Sequence, residues 1–272
     1  MKLGVAIPNH EEGCFEALRD LPSIVEELGF HSLWLTDHVV GVADYQNYGD
    51  IWAECLTSLS YVAGRTSTVR LGLGVLVVPY RHPVYLAKML ATIDHLSGGR
   101  LDVGVGVGWA KSEFEALGCG PLYRTRGKVT DESLRVMLSL WDEGTIEIPG
   151  DDGSAVVGTM RPAPVQTPHP PLFVGGDSEA ALRRAARFAD VWHPVNIEAS
   201  RFAVVADQLD ERAGRAVRRS VRLRAHRDEL SKLDDELAAF ADAGCELAVV
   251  EVLPTEAAAL HDSLERIASH IS

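Results

Sequence analysis

The chain has 272 residues, 46% of them hydrophobic, with 26 basic against 39 acidic side chains and a formal net charge of −13. A chain of this length needs no staples to close a core, and it accommodates two ordinary domains or one large α/β barrel. Nucleic acid is a poor partner for so acidic a protein, and no run approaches the ~20 apolar residues of a membrane helix. The opening residues, MKLGVAIP, lack the layout of an export signal. Cys14, Cys55, Cys119 and Cys245 are scattered without CxxC spacing and read as reduced thiols, which points to the cytoplasm.

Short apolar runs alternate with longer segments of helical period. Leu3–Ile7 reads as a first strand, ended by Pro8 and Asn9, and Leu18, Leu21, Val25 and Leu28 mark a helix face closed by Gly29. Pro22 implies that this helix starts near Asp20 or kinks there. Leu33–Thr36 is a second strand, 53–63 a helix, Val69–Val78 a long third strand, and Pro83–Leu96 a helix. The turn Ser97–Arg100 leads into a fourth strand, Leu101–Val107, after which 108–125 is Gly-rich and irregular. A helix follows at about 128–143. Residues 145–171, rich in Gly, Pro and Asp, then read as an insertion with room for a small hairpin. Leu172–Val174, Val191–His193, a weak Val221–Arg224 and Leu247–Val252 complete eight strands, each followed by a helix. This rhythm predicts a single (β/α)8 barrel domain over 1–272, with a doubly wound open sheet as the alternative.

In such a barrel the chemistry gathers at the C-terminal strand ends. There Asp37-His38 offers a proton donor or acceptor beside a carboxylate, although a loop cap next to a packed histidine would read identically. Gly104, Gly106 and Gly108 form GxGxG followed by Trp109, and Gly72 and Gly74 lack the third glycine, so neither is a dinucleotide fingerprint. These glycines thin their strands for a planar group or a neighbouring strand. Gly175-Gly176-Asp177-Ser178 opens a helix and reads either as an anion-binding turn or as an ordinary turn with an N-cap. No nucleophile elbow, P-loop, HExxH or paired-histidine metal motif is present, so no metal is expected. The arginine-rich stretch Arg212–Arg227 reads as solvated surface and a weak strand.

The blocks LWLTDH (33–38), 69–118 and 164–194 resemble the luciferase-like monooxygenase superfamily, and within it the branch that uses the deazaflavin coenzyme F420. The resemblance implies a (β/α)8 barrel, often a homodimer, that binds F420 or FMN at its C-terminal mouth. It implies a proton-transfer or polarising role for His38 with Asp37 on the same wall, and a non-prolyl cis peptide at Gly74–Val75 behind the coenzyme ring. It also places Gly106 and Gly108 along the site and makes Gly175-Gly176 the phosphate turn, with Asp177 and Ser178 beside it. Trp109 stands where sugar-phosphate dehydrogenases of that branch carry a glutamate, which disfavours their reaction and leaves an apolar wall or a packing role under the insertion.

The expected function is therefore F420-dependent hydride transfer to or from a small organic substrate. FMN-dependent monooxygenation on the same fold is one alternative, and a non-catalytic coenzyme-binding barrel is another. Partners are a small-molecule substrate and a second copy of the chain, with neither nucleic acid nor membrane. Residues 108–125 and 145–171 are the expected lid. The anionic lactyl-glutamate tail of F420 calls for cations at the mouth, with Arg81, His82, Lys111, Arg124 and Arg126 as candidates; an acidic rim would favour FMN.

Overall fold

In a closed barrel, alternate residues of each strand face the lumen and the surrounding helices, so both sides must be filled at once. The computed structural model describes residues 1–42, 50–149, 155–253 and 257–271. Its strands are β1 (Lys2–Ala6), β2 (Ser32–Leu35), β3 (Arg70–Leu73), β4 (Leu76–Val77), β5 (Leu101–Gly106), β6 (Thr145–Pro149), β7 (Ala155–Thr159), β8 (Leu172–Gly175), β9 (Val191–His193), β10 (Arg218–His226) and β11 (Leu247–Leu253). β1, β2, β3, β5, β8, β9, β10 and β11 pair in parallel in that order, and β11 returns to β1. The ring is closed, which settles the fold as an eight-stranded α/β barrel and removes the open-sheet alternative. β4 continues the third strand beyond a break, pairing Leu76 and Val77 with Val105 and Gly106.

The helices are α1 (Cys14–Glu27), α2 (Cys55–Ala63), α3 (Pro83–Ser97), α4 (Lys111–Ala116), α5 (Arg126–Asp142), α6 (Glu179–Phe188), α7 (Ala199–Ala213), α8 (Leu230–Asp242) and α9 (Ala257–Ala268). Their apolar stripes, such as Ala17, Leu18, Leu21 and Val25 of α1, join the outward residues of the strands in one buried layer. None of the described helices is long and apolar enough to cross a membrane. Inside the lumen lies a smaller cluster that includes Trp34, Phe173, Val191 and Val249. Trp34 is fully buried, its indole N–H donating to Ser32 Oγ at 2.8 Å, and it stands opposite Gly72 in the β2–β3 register. A Cβ on Gly72 would collide with that indole, and one on Gly104 would collide with the Leu73 carbonyl. The glycines of the third and fourth strands thus make room for neighbouring protein first.

Several expectations change. α1 begins at Cys14, six residues ahead of a start at Asp20, and contains Pro22. The third strand is not continuous: the Gly74–Val75 peptide is cis and separates β3 from β4. The seventh strand, expected as weak, is the nine-residue β10. The stretch 108–125 contains α4 and a 3-10 turn over Gly120–Thr125.

The insertion does hold a hairpin, β6–β7, but its described residues do not form the expected lid. Its later part lies under the N-terminal strand ends. There Gln166 accepts from Arg70 Nη2 at 3.1 Å and donates to the Leu101 carbonyl at 2.7 Å, while Asp94 Oδ2 accepts from Val165 N and Gln166 N. Helices return the chain to the end opposite the mouth, so a segment between α5 and β8 falls at the base.

The collision at Gly104 sets a test. Gly104→Ala meets backbone, not a flexible side-chain tip, so it lowers unfolding free energy by about 2–3 kcal/mol or prevents folding. Gly158→Ala on the hairpin meets Ile146 Cγ2 at an ordinary 3.5 Å and stays within about 0.5 kcal/mol of the parent. Urea denaturation of both variants checks the contrast, and equal stabilities would refute the packing argument.

Candidate active site

The mouth is a cavity of about 350 Å³ whose lining includes His38, Val75, Gly106, Trp109, Gly176 and Arg222. Aromatic rings fill the lumen next to it. His193 stacks on Trp34 with centroids 5.0 Å apart and 16° between planes, and Phe173 meets both rings edge-on. His193 Nδ1 is 2.7 Å from Ser220 Oγ, while Nε2 is buried without a protein hydrogen-bond partner. Burial, and then the charge of Arg222, push the His193 pKa down to about 3, so the ring is neutral.

Arg222 lines the cavity and ties its strands together. It rises from β10, buried, and donates through Nη1 to the carbonyl of Gly74, the residue preceding the cis bond. Its Nη2 reaches Thr36 Oγ1 at 3.1 Å and Glu251 Oε1 at 2.9 Å, and Glu251 Oε2 accepts from Arg224 Nε at 2.9 Å. Burial opposes ionisation of Glu251, but Arg222 and Arg224 outweigh it and hold the carboxyl below its ordinary range. The expected surface reading of Arg212–Arg227 therefore fails at Arg222. The signal lay in the alternation: Val221, Leu223 and Ala225 supply the helix-facing core, so Ser220 and Arg222 face the lumen.

Asp37 lines the same cavity as His38, as the resemblance implies, but its carboxylate is turned to other partners. Its Oδ2 accepts from Val77 N at 2.8 Å and Arg81 Nη1 at 2.6 Å, and its Oδ1 from Arg81 Nη2 at 2.8 Å and Cys55 Sγ at 3.2 Å. Both oxygens are occupied in tying the end of β2 to β4. Arg81, expected on the coenzyme rim, is the cation of that bridge and also holds Glu54 at 2.8 Å. Asp37, Glu54 and Cys55 lie close enough to hold a metal, but the guanidinium already supplies the charge they surround.

His38 is instead held by a residue the sequence reading missed. Glu113 of α4 is fully buried, and its Oε2 lies 3.0 Å from His38 Nδ1 and accepts from Tyr80 Oη at 2.6 Å. Its Oε1 accepts from Val39 N at 2.7 Å. A carboxylate only accepts, so Nδ1 carries the proton toward Glu113, and Nε2 is the nitrogen not committed to it. The rings of Trp52 and Trp109 stand edge-on to His38 at 4.7 and 6.0 Å. Trp109 is half exposed at the rim and accepts from Tyr123 Oη through its carbonyl.

At the far side, Gly175-Gly176 leads into α6. Ser178 accepts from Ala181 N at 3.2 Å, so its side chain is spent as the N-cap. Asp177, expected to touch the coenzyme, turns outward to Arg201 at 2.8 Å. Arg124, Arg126 and Arg184 line a second cavity around Gly175, Gly176 and Ser178. Of the five expected cations only Arg124 and Arg126 stand there; Lys111 pairs with Glu115, and His82 lies exposed beside Tyr85.

The fit to a flavin-type group rests on the glycines. A Cβ on Gly106 would come within 2.6 Å of Val75 Cγ2, and one on Gly175 within 3.5 Å of Val75 Cγ1, so Val75 sits on bare backbone and faces the mouth. Gly176, at φ 89°, has no side chain to obstruct the cation-flanked turn. The residues fit a planar ring over Val75 and a phosphate at the turn.

The profile of the luciferase-like monooxygenase family matches residues 1–266. The FMNH(2)-dependent dimethylsulfone monooxygenase of Pseudomonas putida is 33% identical over 65% of this chain and 48% of its own length. The oxygenase component of the flavin-dependent trigonelline monooxygenase of Acinetobacter baylyi is 30% identical over 59% of this chain and 42% of its own. The chain thus spans about half the length of the curated relatives it matches. In fold, it is similar to an F420-dependent secondary alcohol dehydrogenase in complex with an F420–acetone adduct (TM-score 0.77, 16% identity, 92% and 93% coverage of the two chains). It is equally similar to the oxygenating constituent of the Pseudomonas putida 3,6-diketocamphane monooxygenase in complex with FMN (TM-score 0.78, 16% identity, 100% and 97% coverage).

Two measurements check this geometry. The folded chain refuses the proton that His193 takes up when unfolded, from the ordinary 6.5 down to about 3. Stability from this group is complete above pH 6.5 and lost as pH falls through that window, at about 1.4 kcal/mol per pH unit. Urea denaturation at pH 7.5 and 5.5 should therefore cost the parent roughly 1 kcal/mol more than His193→Gln; equal losses count against a neutral buried ring. In Glu113→Gln the amide donates where the carboxylate accepted. Nitrogen NMR of labelled histidine should then show the His38 proton moving from Nδ1 to Nε2, and an unchanged spectrum removes Glu113 as the group that sets the tautomer.

Proposed function

The chain belongs to the luciferase-like monooxygenase family, and on that premise we propose that it is an oxidoreductase that binds coenzyme F420 at the barrel mouth and moves a hydride between it and a small organic substrate. The observation that carries this reading is His38 on the cavity, held from behind by buried Glu113, opposite a glycine turn flanked by arginines. When bound, the deazaflavin supplies a carbon that accepts or donates hydride.

The protein's own part is positioning and proton handling. Val75, presented by the cis peptide and the Arg222 bridge to Gly74, forms a fixed apolar support for one face of a ring. Trp109 and Trp52 border the volume above His38 and keep it apolar. His38 exchanges the proton that accompanies reduction or oxidation of the substrate, through Nε2, because Nδ1 is engaged by Glu113. Asp37 and Arg81 act through the loops they tie together, so orientation supplies much of the rate. We place the protein in the cytoplasm as a homodimer.

FMN-dependent monooxygenation is the second reading, favoured by the flavin monooxygenases among the sequence relatives. A non-catalytic carrier would bind coenzyme without turnover. Fluorescence titration with F420 and with FMN decides among these. F420 should bind in the micromolar range, and Gly176→Asp, which adds a carboxylate at the turn and a Cβ 3.1 Å from Ala181 Cβ, should abolish binding. His38→Ala should keep binding and lose about 100-fold or more in turnover. Tight FMN binding without F420 binding selects the second reading, and binding of neither defeats both.

A further inference from the structure

Strand alternation decides which side chains meet at the end of the barrel away from the mouth. The lumen-facing set that includes Trp34, Phe173 and Val249 continues downward to Lys2 of β1, Arg70 of β3, Asp102 of β5 and Arg218 of β10. These four line a cavity of about 800 Å³, none of whose lining residues also lines the mouth. The apolar part of its lining, Phe173, Val191 and Leu247, belongs to the lumen cluster, and Gln166 of the insertion closes one side.

On a chain of net charge −13, this lining carries Lys2, Arg70, Arg218 and Arg219 against Asp102 and Glu246. Arg70 and buried Asp102 neutralise each other through contacts of 2.5 and 2.9 Å. Arg219 turns to Asp207 and Asp210 at 2.9 and 3.0 Å, and Glu246 accepts from its backbone N–H at 3.3 Å. Lys2 and Arg218 have neither an ion pair nor a side-chain hydrogen bond among the described residues. His31 lines the same cavity without a side-chain partner among the described residues. Burial, then Lys2 and Arg70, push its pKa down to about 4, so the ring is neutral and keeps an N–H to donate.

We propose that this basal cavity is a second binding site, separate from the mouth, for a small organic dicarboxylate. Its hydrocarbon body would lie against Phe173, Val191 and Leu247, its carboxylates on Lys2 and Arg218, with His31 as a further donor. Two separated anionic groups suit the site better than one phosphate. Lys2 and Arg218 stand at the starts of β1 and β10, on either side of β11, so their backbones lie two strand spacings apart, about 10 Å. Such a ligand would bridge β1 and β10 across β11 and bind the folded barrel alone, stabilising it. The site is independent of which coenzyme the mouth takes. Each exposed charge contact contributes little, so affinity is modest and falls with salt.

The test is isothermal titration calorimetry of the intact protein with benzene-1,3-dicarboxylate, benzoate and inorganic phosphate, at low and high ionic strength. The dicarboxylate should bind once per chain with a Kd below about 1 mM at low salt, and benzoate and phosphate about fivefold or more weakly. High salt should weaken the dicarboxylate severalfold. The double variant K2Q/R218Q, at two exposed positions, should lose about tenfold in dicarboxylate affinity, and R218Q alone about threefold. The control R19Q/K232Q removes the same charge at exposed sites on α1 and α8 and should stay within about twofold of the parent. Absence of saturable dicarboxylate binding overturns the site. Binding that survives K2Q/R218Q, or that the control weakens equally, overturns its place at the base. Phosphate binding as tight as the dicarboxylate overturns the ligand class.

Discussion

A guanidinium sealed inside a barrel is costly unless a carboxylate and hydrogen-bond acceptors meet it. Arg222 is answered at its two terminal nitrogens by the Gly74 carbonyl, by Thr36 and by Glu251, groups delivered by the third, second and eighth strands of the ring, while its Nε is buried without a hydrogen-bond partner. Because each partner comes from a different strand, the charge is satisfied only when the barrel is closed and the third strand is broken where it is. Closure, the position of Val75 and the ionised state of Glu251 are thereby parts of one arrangement. The neutral His193 beneath follows from it as well, since a second positive charge in the same lumen would repel the first.

Around this centre the loops are fastened by two carboxylates with separate duties. Asp37 joins β2 to β4 through Arg81 and a backbone amide, and Glu113 joins the short α4 to His38, Tyr80 and Val39. A histidine on a loop would ordinarily sample several rotamers. Here its ring is fixed from behind by a buried acceptor and bordered by two indoles. The site thus has the rigidity of a strand-borne residue although it stands beyond the strand end.

The barrel was legible because apolar runs of strand length alternate with helical stripes, and that pattern survives single-residue errors in boundaries. The mouth was partly legible, because strand ends name their own candidates: His38, Gly106, Trp109 and Gly176 do line it. Arg222 was hidden because a charge within a strand reads as surface until one asks which face the helices need. The bridge from Asp37 to Arg81 was hidden for a related reason, since adjacency to His38 in sequence says nothing of what lies across the strands. Glu113 lies on a six-residue helix too short to declare itself by period, and only the fold brings it to a residue 75 positions earlier. The insertion was visible as such, but its place required counting direction: after a helix the chain is at the base.

That last point bears on how such a molecule can change over time. The segment leading from the β6–β7 hairpin is anchored through Val165 and Gln166 to Asp94, Leu101 and Arg70, at the opposite pole from the mouth. Lengthening, shortening or rewriting the hairpin alters the outer wall and the base while the strand ends keep their spacing. The residues after β5 have no such freedom, since Gly108, Trp109 and Glu113 are bound into the mouth itself. One half of the connection between the fourth and fifth strands is therefore open to drift, and the other half is locked to the chemistry.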